Sequence, residues 1–132
     1  MGRQVKELKS KKIAQLVVEA LEDLKGESVM CFDVQKLTEI TDYMVIVTGR
    51  SSTHIKALSD SIAKKVKDAG LDILGIEGKL QSEWILVDVG GVVAHIMLGS
   101  VRTLYNLEEL WGFDATKGAE RVVAVESFPK GL

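Results

Sequence analysis

The sequence predicts an α+β domain of α/β-like character, in which helices flank a mixed β-sheet of about five strands. Three observations support this class. Segments with helical spacing of apolar residues alternate with short β-branched segments along the chain. Gly90-Gly91 separates two apolar segments of strand length, which is a strong hairpin signal. The segment from Tyr43 to Thr48 is apolar on both faces, which is typical of a central strand.

The first half of the chain is predicted to form two helices and two strands. Ser10 can cap a first helix, and Gly26 would follow it as the left-handed C′ residue. The apolar positions of this helix keep i, i+3, i+4 spacing: Ile13, Leu16, Val17, Ala20, Leu21 and Leu24. A first strand from Ser28 to Val34 precedes the central one. A second helix follows and ends at Gly70, with Ile55, Leu58, Ile62 and Val66 facing inward.

The second half is predicted to complete the sheet. A short third strand runs from Leu71 to Ile76 and is followed by the two hairpin strands. The remaining predicted elements are a helical stretch from Val101 to Tyr105, a second stretch from Leu107 to Trp111 that Asn106 would cap, and a last strand from Arg121 to Val125.

The two faces of the hairpin differ in chemistry. If Val89 pairs with Val92, the facing pairs are Asp88 with Val93, Leu86 with His95, and Trp84 with Met97. Side chains alternate across a strand, so one face is wholly apolar and comprises Ile85, Val87, Val89, Val92, Ala94, Ile96 and Leu98. We predict that this face is core. The opposite face mixes large apolar anchors with an acid and an imidazole, which is typical of a surface that meets a partner. The alternative is a helix packed over it, which would make it a second core layer.

Composition indicates a single globular domain over residues 1–132 and disfavours several classes of protein. Hydrophobic residues make up 46% and charged residues 27% of the chain. The net charge of −2 argues against a protein that gains its affinity by neutralising phosphates. Cys31 is the only cysteine, which excludes an internal disulfide and fits a reducing compartment. Neither a membrane-spanning apolar run nor a signal peptide is apparent, so we expect a cytoplasmic protein.

Gly49-Arg50-Ser51-Ser52 lies where a strand leads into a helix, a position that can bind anions. Nucleotidyltransferases use a Gly-Ser loop there, together with paired carboxylates that hold two Mg²⁺ ions. Asp88 has no such companion, since Leu86 precedes it and Gly90 follows it at the required spacing. A Ser-capped helix is therefore the favoured interpretation of this loop.

His54 and His95 are the only histidines, and neither belongs to a closely spaced set of metal ligands. We interpret His54 as a local hydrogen-bonding or packing residue. His95 is either satisfied beside its diagonal neighbour Asp88 or available to donate to a partner. A triad of Ser51 or Ser52 with His95 and Asp88 lacks the spacing of a nucleophile elbow and is disfavoured.

A series of residues resembles the ribosomal silencing factor family, also called Iojap-like or RsfS, from the first helix to Trp111. The matching residues are Asp33-Val34, the run from Thr41 to Gly49, Ser51-Ser52, His54, Glu77-Gly78, the run from Trp84 to Asp88, Gly90, His95-Ile96-Met97, Val101-Arg102, Tyr105, Leu107-Glu108 and Leu110-Trp111. The chain departs from the family pattern at Gly91, Gly99-Ser100 and Thr103, where acidic or charged residues are usual. These departures soften the acidity of the expected docking edge.

The resemblance implies a non-enzymatic translation repressor that needs no cofactor and no metal. Such proteins bind large-subunit ribosomal protein fourteen, block joining of the two ribosomal subunits when nutrients are scarce, and are linked to large-subunit maturation. The implied fold is similar to a nucleotidyltransferase core without its catalytic acids. The implied partner-binding residues are Trp84, Leu86, Asp88, His95, Met97, Tyr105, Leu107, Leu110 and Trp111. Trp84, Tyr105 and Trp111 would be desolvated anchors, and Asp88 would pair with a basic group.

Two functions of other classes remain open at this point. A nucleotidyltransferase-like enzyme would bind nucleotide and Mg²⁺ at Gly49 to Ser52, and a homodimerisation module would close the exposed hairpin face on a second copy. The basic residues Arg3, Lys6, Lys9, Lys11 and Lys12 indicate either a solvated helix start or a peripheral contact with ribosomal RNA.

Overall fold

The computed structural model describes residues 2–78, 83–106 and 120–124, with side chains described for residues 9–78 and 83–106. The elements in chain order are α1 (Gly2–Asp23), β1 (Glu27–Asp33), β2 (Tyr43–Gly49), α2 (Ser52–Asp68), β3 (Gly75–Glu77), β4 (Trp84–Asp88), β5 (Val92–Leu98), α3 (Gly99–Tyr105) and β6 (Glu120–Ala124). The six strands form one sheet in the order β3-β4-β5-β2-β1-β6. The predicted α+β class is confirmed, and each of the six strands in the described residues corresponds to a segment that the sequence predicts as a strand, although some bounds differ.

β2 is an inner strand of this sheet, as its apolar sequence predicts. It pairs in parallel with β5 and antiparallel with β1, which makes the sheet mixed. Every residue of β2 is buried except Thr48, which is half-buried. A strand covered on both faces leaves no solvated side for polar residues, which explains the continuous apolar run.

The hairpin of β4 and β5 has the predicted register. Trp84 faces Met97, Leu86 faces His95 and Asp88 faces Val93. The Val89 amide donates to the Val92 carbonyl at 2.9 Å and closes the turn. Both turn glycines have positive φ, 71° at Gly90 and 76° at Gly91, as a type I′ turn requires.

α1 begins at Gly2, so the prediction that Ser10 caps its start is wrong. Ser10 lies inside the helix, where its hydroxyl donates to Asp42 Oδ2 at 2.7 Å. A capping residue and a tertiary hydrogen-bonding residue share the same chemistry, so the sequence alone did not separate them. The end of the helix also differs from the prediction by one residue. Lys25 is the left-handed residue, and the Gly26 amide donates to the Leu21 carbonyl at 2.8 Å.

α2 has the boundaries that its sequence predicts. Ser51 is the N-cap, and its hydroxyl accepts from the His54 amide at 3.1 Å. Gly70 has a φ of 80°, and the Leu71 amide donates back to the Val66 carbonyl at 3.0 Å. A left-handed glycine followed by this bond is the Schellman arrangement that ends many helices.

The third strand is shorter than predicted and lies later in the chain. We expected Leu71 to Ile76, whereas β3 comprises Gly75–Glu77. The amide of Leu71 donates to the end of α2 and is therefore not available to the sheet ladder. Leu74 is 68% exposed, although its amide donates to the Asp88 carbonyl.

Apolar side chains pack on both faces of the sheet. The larger cluster lies between the sheet and the helices α1 and α2, and it contains the predicted apolar face of the hairpin. A smaller cluster on the opposite face comprises Phe32, Val34, Met44, Ile46 and Met97, with Met30, Trp84 and Val101 packed against it. The face expected to meet a partner therefore also carries a second core layer.

The last elements agree with the sequence where the structure describes them. α3 covers the predicted stretch from Val101 to Tyr105, and β6 is the predicted last strand, shifted by one residue. Asn106 is the left-handed C-cap of α3, and its amide donates to the Arg102 carbonyl at 2.9 Å. The predicted helix from Leu107 to Trp111 lies outside the described residues. Among the described helices, none has the length and apolarity needed to cross a lipid bilayer.

We expect Gly91→Ala to destabilise the fold more than Gly90→Ala, by about 2 against about 1 kcal/mol in the free energy of unfolding. Both residues have positive φ, so alanine is strained at either position. A Cβ at Gly91 would also collide with Ser10 Oγ, the donor to Asp42, whereas a Cβ at Gly90 would lie 3.3 Å from the flexible end of Leu74. Urea unfolding of the two variants measures the difference. Equal losses would show that the contact with Ser10 has no energetic importance.

Candidate protein-docking surface

An aromatic surface forms on the sheet face turned away from α1 and α2. β4 alternates its side chains, so Trp84, Leu86 and Asp88 all lie on this face, and each is half-buried. His95 is their neighbour on β5, and Tyr105, which is 54% exposed, reaches the same place from α3. We call these five residues the Trp84 surface. Sequence reasoning placed all five in the candidate site.

The indole of Trp84 is held from two sides. Its ring centroid lies 5.8 Å from that of His95 and 5.0 Å from that of Tyr105, both with an interplanar angle of 52°. Tilted aromatic pairs at these separations are favourable beyond the area they bury. The indole N–H donates to His95 Nδ1 at 3.0 Å. Trp84 thus has a fixed orientation while part of it remains accessible.

His95 acts as the acceptor in this arrangement. His95 is only 8% exposed, and burial lowers its pKa from 6.5 to about 4. The imidazole is therefore neutral at pH 7. Because Nδ1 accepts from Trp84, the ring hydrogen must be on Nε2. The sequence left open whether His95 forms its hydrogen bond beside Asp88 or donates to a partner. In the structure, the neighbouring group that bonds to His95 is the indole N–H of Trp84.

Met97 is not exposed, contrary to the prediction. Its side chain is completely buried in the smaller cluster, where it packs with residues such as Phe32 and Met44. Strand alternation gave the correct face, but neighbouring strands and Val101 of α3 cover this end of it. Met97 can support Trp84 from below, but it presents no surface to a partner.

Asp88 has a structural contact that the sequence analysis did not anticipate. Its Oδ1 accepts from the Gly90 amide at 3.0 Å, which is an Asx-type contact that stabilises the hairpin turn. A carboxylate has further acceptor sites, so this bond does not prevent Asp88 from pairing with a basic group of a partner. That pairing stays a prediction.

Three further candidate residues lie outside the part of the chain that the structure describes, and one exposed apolar residue was not predicted. Leu107, Leu110 and Trp111 lie outside the described residues, and their role stays a prediction. Leu104 was missed, although it is 76% exposed beside Tyr105. The only signal for Leu104 was a large apolar residue next to an aromatic one in a short amphipathic stretch.

The residues considered for catalysis have other partners. Ser51 Oγ caps α2, and His54 accepts from the Arg50 amide at Nδ1 (2.9 Å) and contacts the Leu24 carbonyl through Nε2 (2.8 Å). His54 is therefore a local hydrogen-bonding residue, as predicted.

Burial, with Asp33 nearby, raises the pKa of the Cys31 thiol to about 12. Within residues 2–78, 83–106 and 120–124, no group of three or more His, Cys, Asp or Glu could hold a metal ion.

Comparisons with known proteins agree on one family. The family described as "Ribosomal silencing factor during starvation" matches residues 7–130. "Ribosomal silencing factor RsfS" of Chromobacterium violaceum is 48% identical over 100 residues, which cover 76% of this chain and 82% of that protein. "Mitochondrial assembly of ribosomal large subunit protein 1" of Mus musculus is 30% identical over 118 residues, which cover 87% of this chain and 52% of the mouse protein. A crystal structure of a Chromobacterium violaceum protein has a TM-score of 0.76 at 42% identity, and the match covers 88% of this chain and 94% of that one.

The fold and the site together define a small α+β protein with a rigidly held aromatic surface on one face of a mixed sheet. Its family follows from the comparisons. The chain belongs to the ribosomal silencing factor family, and the resemblance inferred from its sequence is confirmed. The family is named for a regulatory role and not for a chemical reaction.

Proposed function

We propose that this protein represses translation by binding ribosomal protein fourteen of the large subunit and sterically blocking the joining of the two subunits. The proposal extends the family assignment to a partner, a surface and a mechanism. The Trp84 surface makes the contact, with Trp84 and Tyr105 as anchors. Leu107, Leu110 and Trp111 extend this contact along the chain.

The observation that carries the proposal is the orientation of Trp84. An aromatic anchor that is already fixed before binding loses little rotamer freedom when it binds. The contacts with His95 and Tyr105 provide this restraint, while the half-burial of the ring leaves area for a partner to cover. Tryptophan and tyrosine are also the residues most enriched among those that dominate interface energies.

Charge supports a protein partner over bare RNA. The chain has a formal net charge of −2, which disfavours a binding mode dominated by phosphate contacts. An acidic protein is attracted to a basic ribosomal protein, and Asp88 at the end of β4 supplies a local negative charge. A peripheral contact of the basic α1 start with ribosomal RNA is compatible with this arrangement.

The mechanism requires only that the protein occupies its binding site on the large subunit. A folded domain bound where the small subunit would approach prevents joining without any bond being made or broken. The same contact allows a role in large-subunit maturation, in line with the name of the mouse relative.

Gradient sedimentation of separated ribosomal subunits tests the proposal. We expect the protein to co-migrate with large subunits alone and to reduce the fraction of joined ribosomes when small subunits are added afterwards. Omission of the protein is the reference. Sedimentation of the protein as a dimer, with neither subunit carrying it, would favour the homodimerisation alternative instead.

A further inference from the structure

α3 depends on a few side-chain contacts for its position. It has seven residues, none of them buried, and no side chain caps its start. A helix of this length is unstable alone in water, so its tertiary contacts decide where it lies. Since Tyr105 belongs to α3, these contacts also decide whether Tyr105 meets Trp84.

Arg102 provides the polar attachment of α3. Its Nη1 donates to the Ser28 carbonyl at 2.8 Å and to Thr48 Oγ1 at 3.1 Å. Tyr105, three residues later, contacts Trp84 of β4. β5 and β2 separate β4 from β1 in the sheet, so α3 links distant strands, with Arg102 attached on one side and Tyr105 on the other.

The Ser28 carbonyl is available because β1 is irregular at this point. Glu27 pairs with Thr48 of β2, and the next pair is Met30 with Ile46. Three residues of β1 therefore match two of β2, so β1 contains one extra residue. Ser28 has a φ of 50°, which is a strained conformation for a residue other than glycine. Bulges of this type redirect backbone groups and often lie near functional sites. Here the redirected carbonyl accepts from Arg102.

We propose that Arg102 is a positioning residue for the Trp84 surface. By holding the Ser28 carbonyl and the Thr48 hydroxyl, the guanidinium fixes α3 so that Tyr105 packs against Trp84. Arg102 acts on partner binding through Tyr105. This inference rests on the proposed function, because it assumes that the Trp84 surface is where the partner binds.

A double-mutant cycle on binding to purified large subunits tests this role. Arg102→Met removes both hydrogen bonds and keeps the aliphatic stem, and we expect about tenfold weaker binding. Tyr105→Ala should weaken binding at least as much. If Arg102 acts through Tyr105, Arg102→Met should cost nothing further in the Tyr105→Ala background. A general loss of stability would instead lower binding in both backgrounds.

Two further variants make the test decisive. Thr53→Ala changes an exposed threonine of α2, on the other face of the sheet, and should bind like the wild type. Thr48→Val keeps the shape but removes one acceptor, with an expected loss of about threefold, and it replaces Arg102→Met in the cycle if that variant does not fold.

Wild-type affinity of a folded Arg102→Met, or a full additional loss in the Tyr105→Ala background, would overturn the positioning role. Normal binding by both Trp84→Ala and Tyr105→Ala would overturn the docking site itself and the inference with it. The two failures are therefore distinguishable.

Discussion

Trp84→Ala is expected to weaken binding to large ribosomal subunits by about 2 kcal/mol or more, roughly thirtyfold, while the protein stays folded. The substitution removes the ring that contacts both His95 and Tyr105, so the whole aromatic cluster loses its centre. The fold should survive because Trp84 keeps some exposure and packs against the smaller cluster without belonging to the larger one. The sequence predicts a loss of similar size for Trp111→Ala.

Co-sedimentation with large subunits measures this loss, and thermal unfolding by circular dichroism verifies the fold. Leu74→Ala is the matched control, since Leu74 is an exposed large apolar residue outside the Trp84 surface. We expect its binding to equal that of the wild type. Normal co-sedimentation by Trp84→Ala would mean that the partner binds elsewhere.

The second large effect concerns acid stability. The pKa of His95 is about 4 in the folded protein and 6.5 in the unfolded chain, so the unfolded chain binds the proton more readily. The protonation of His95 therefore has no effect on the free energy of unfolding above pH 6.5. It lowers this free energy as the pH falls from 6.5 toward 4, and it causes no further change below pH 4. The shift corresponds to a loss of roughly 3 kcal/mol across the window.

His95→Asn is the variant that isolates this effect. An asparagine oxygen can take the place of Nδ1 as acceptor for the Trp84 N–H, but it does not titrate in this range. Urea unfolding at pH 7.5 and pH 4.5 should show a smaller decrease for His95→Asn than for the wild type. Other titrating groups are common to both proteins and cancel in the comparison. Identical decreases would show that His95 is not the group responsible.

The hairpin was predictable to the residue because its signal is local. Gly90-Gly91 fixes the turn, the turn fixes the register, and the register assigns every side chain of β4 and β5 to a face. The central position of β2 was likewise predictable, because only a strand covered on both faces is apolar throughout.

The errors arose where distant parts of the chain decide the structure. The burial of Met97 depends on Phe32, Met44 and Val101, which come from three other elements. Ser10 looked like a cap, but its hydroxyl bonds with Asp42, which is far away in the sequence. No local pattern distinguishes these outcomes from the predicted ones.

The sequence predicted which residues form the candidate site better than it predicted the contacts between them. Alternation and helix spacing brought Trp84, His95 and Tyr105 to one place. They did not show that His95 accepts from the indole, because that depends on side-chain rotamers. Nor did they indicate Arg102 as a link to β1, since the bulge at Ser28 has no glycine to reveal it.

The state of Cys31 has a practical consequence for measuring these interactions. It is the only cysteine in the sequence, its side chain is 1% exposed, and its pKa is about 12. At pH 8, on the order of one thiol in ten thousand is ionised, and the ionised form is the one that reacts with maleimides. A cysteine introduced by Thr103→Cys would therefore take a fluorophore selectively without removal of the native one. The label would stand on α3 beside Arg102, where its anisotropy could follow ribosome capture in real time.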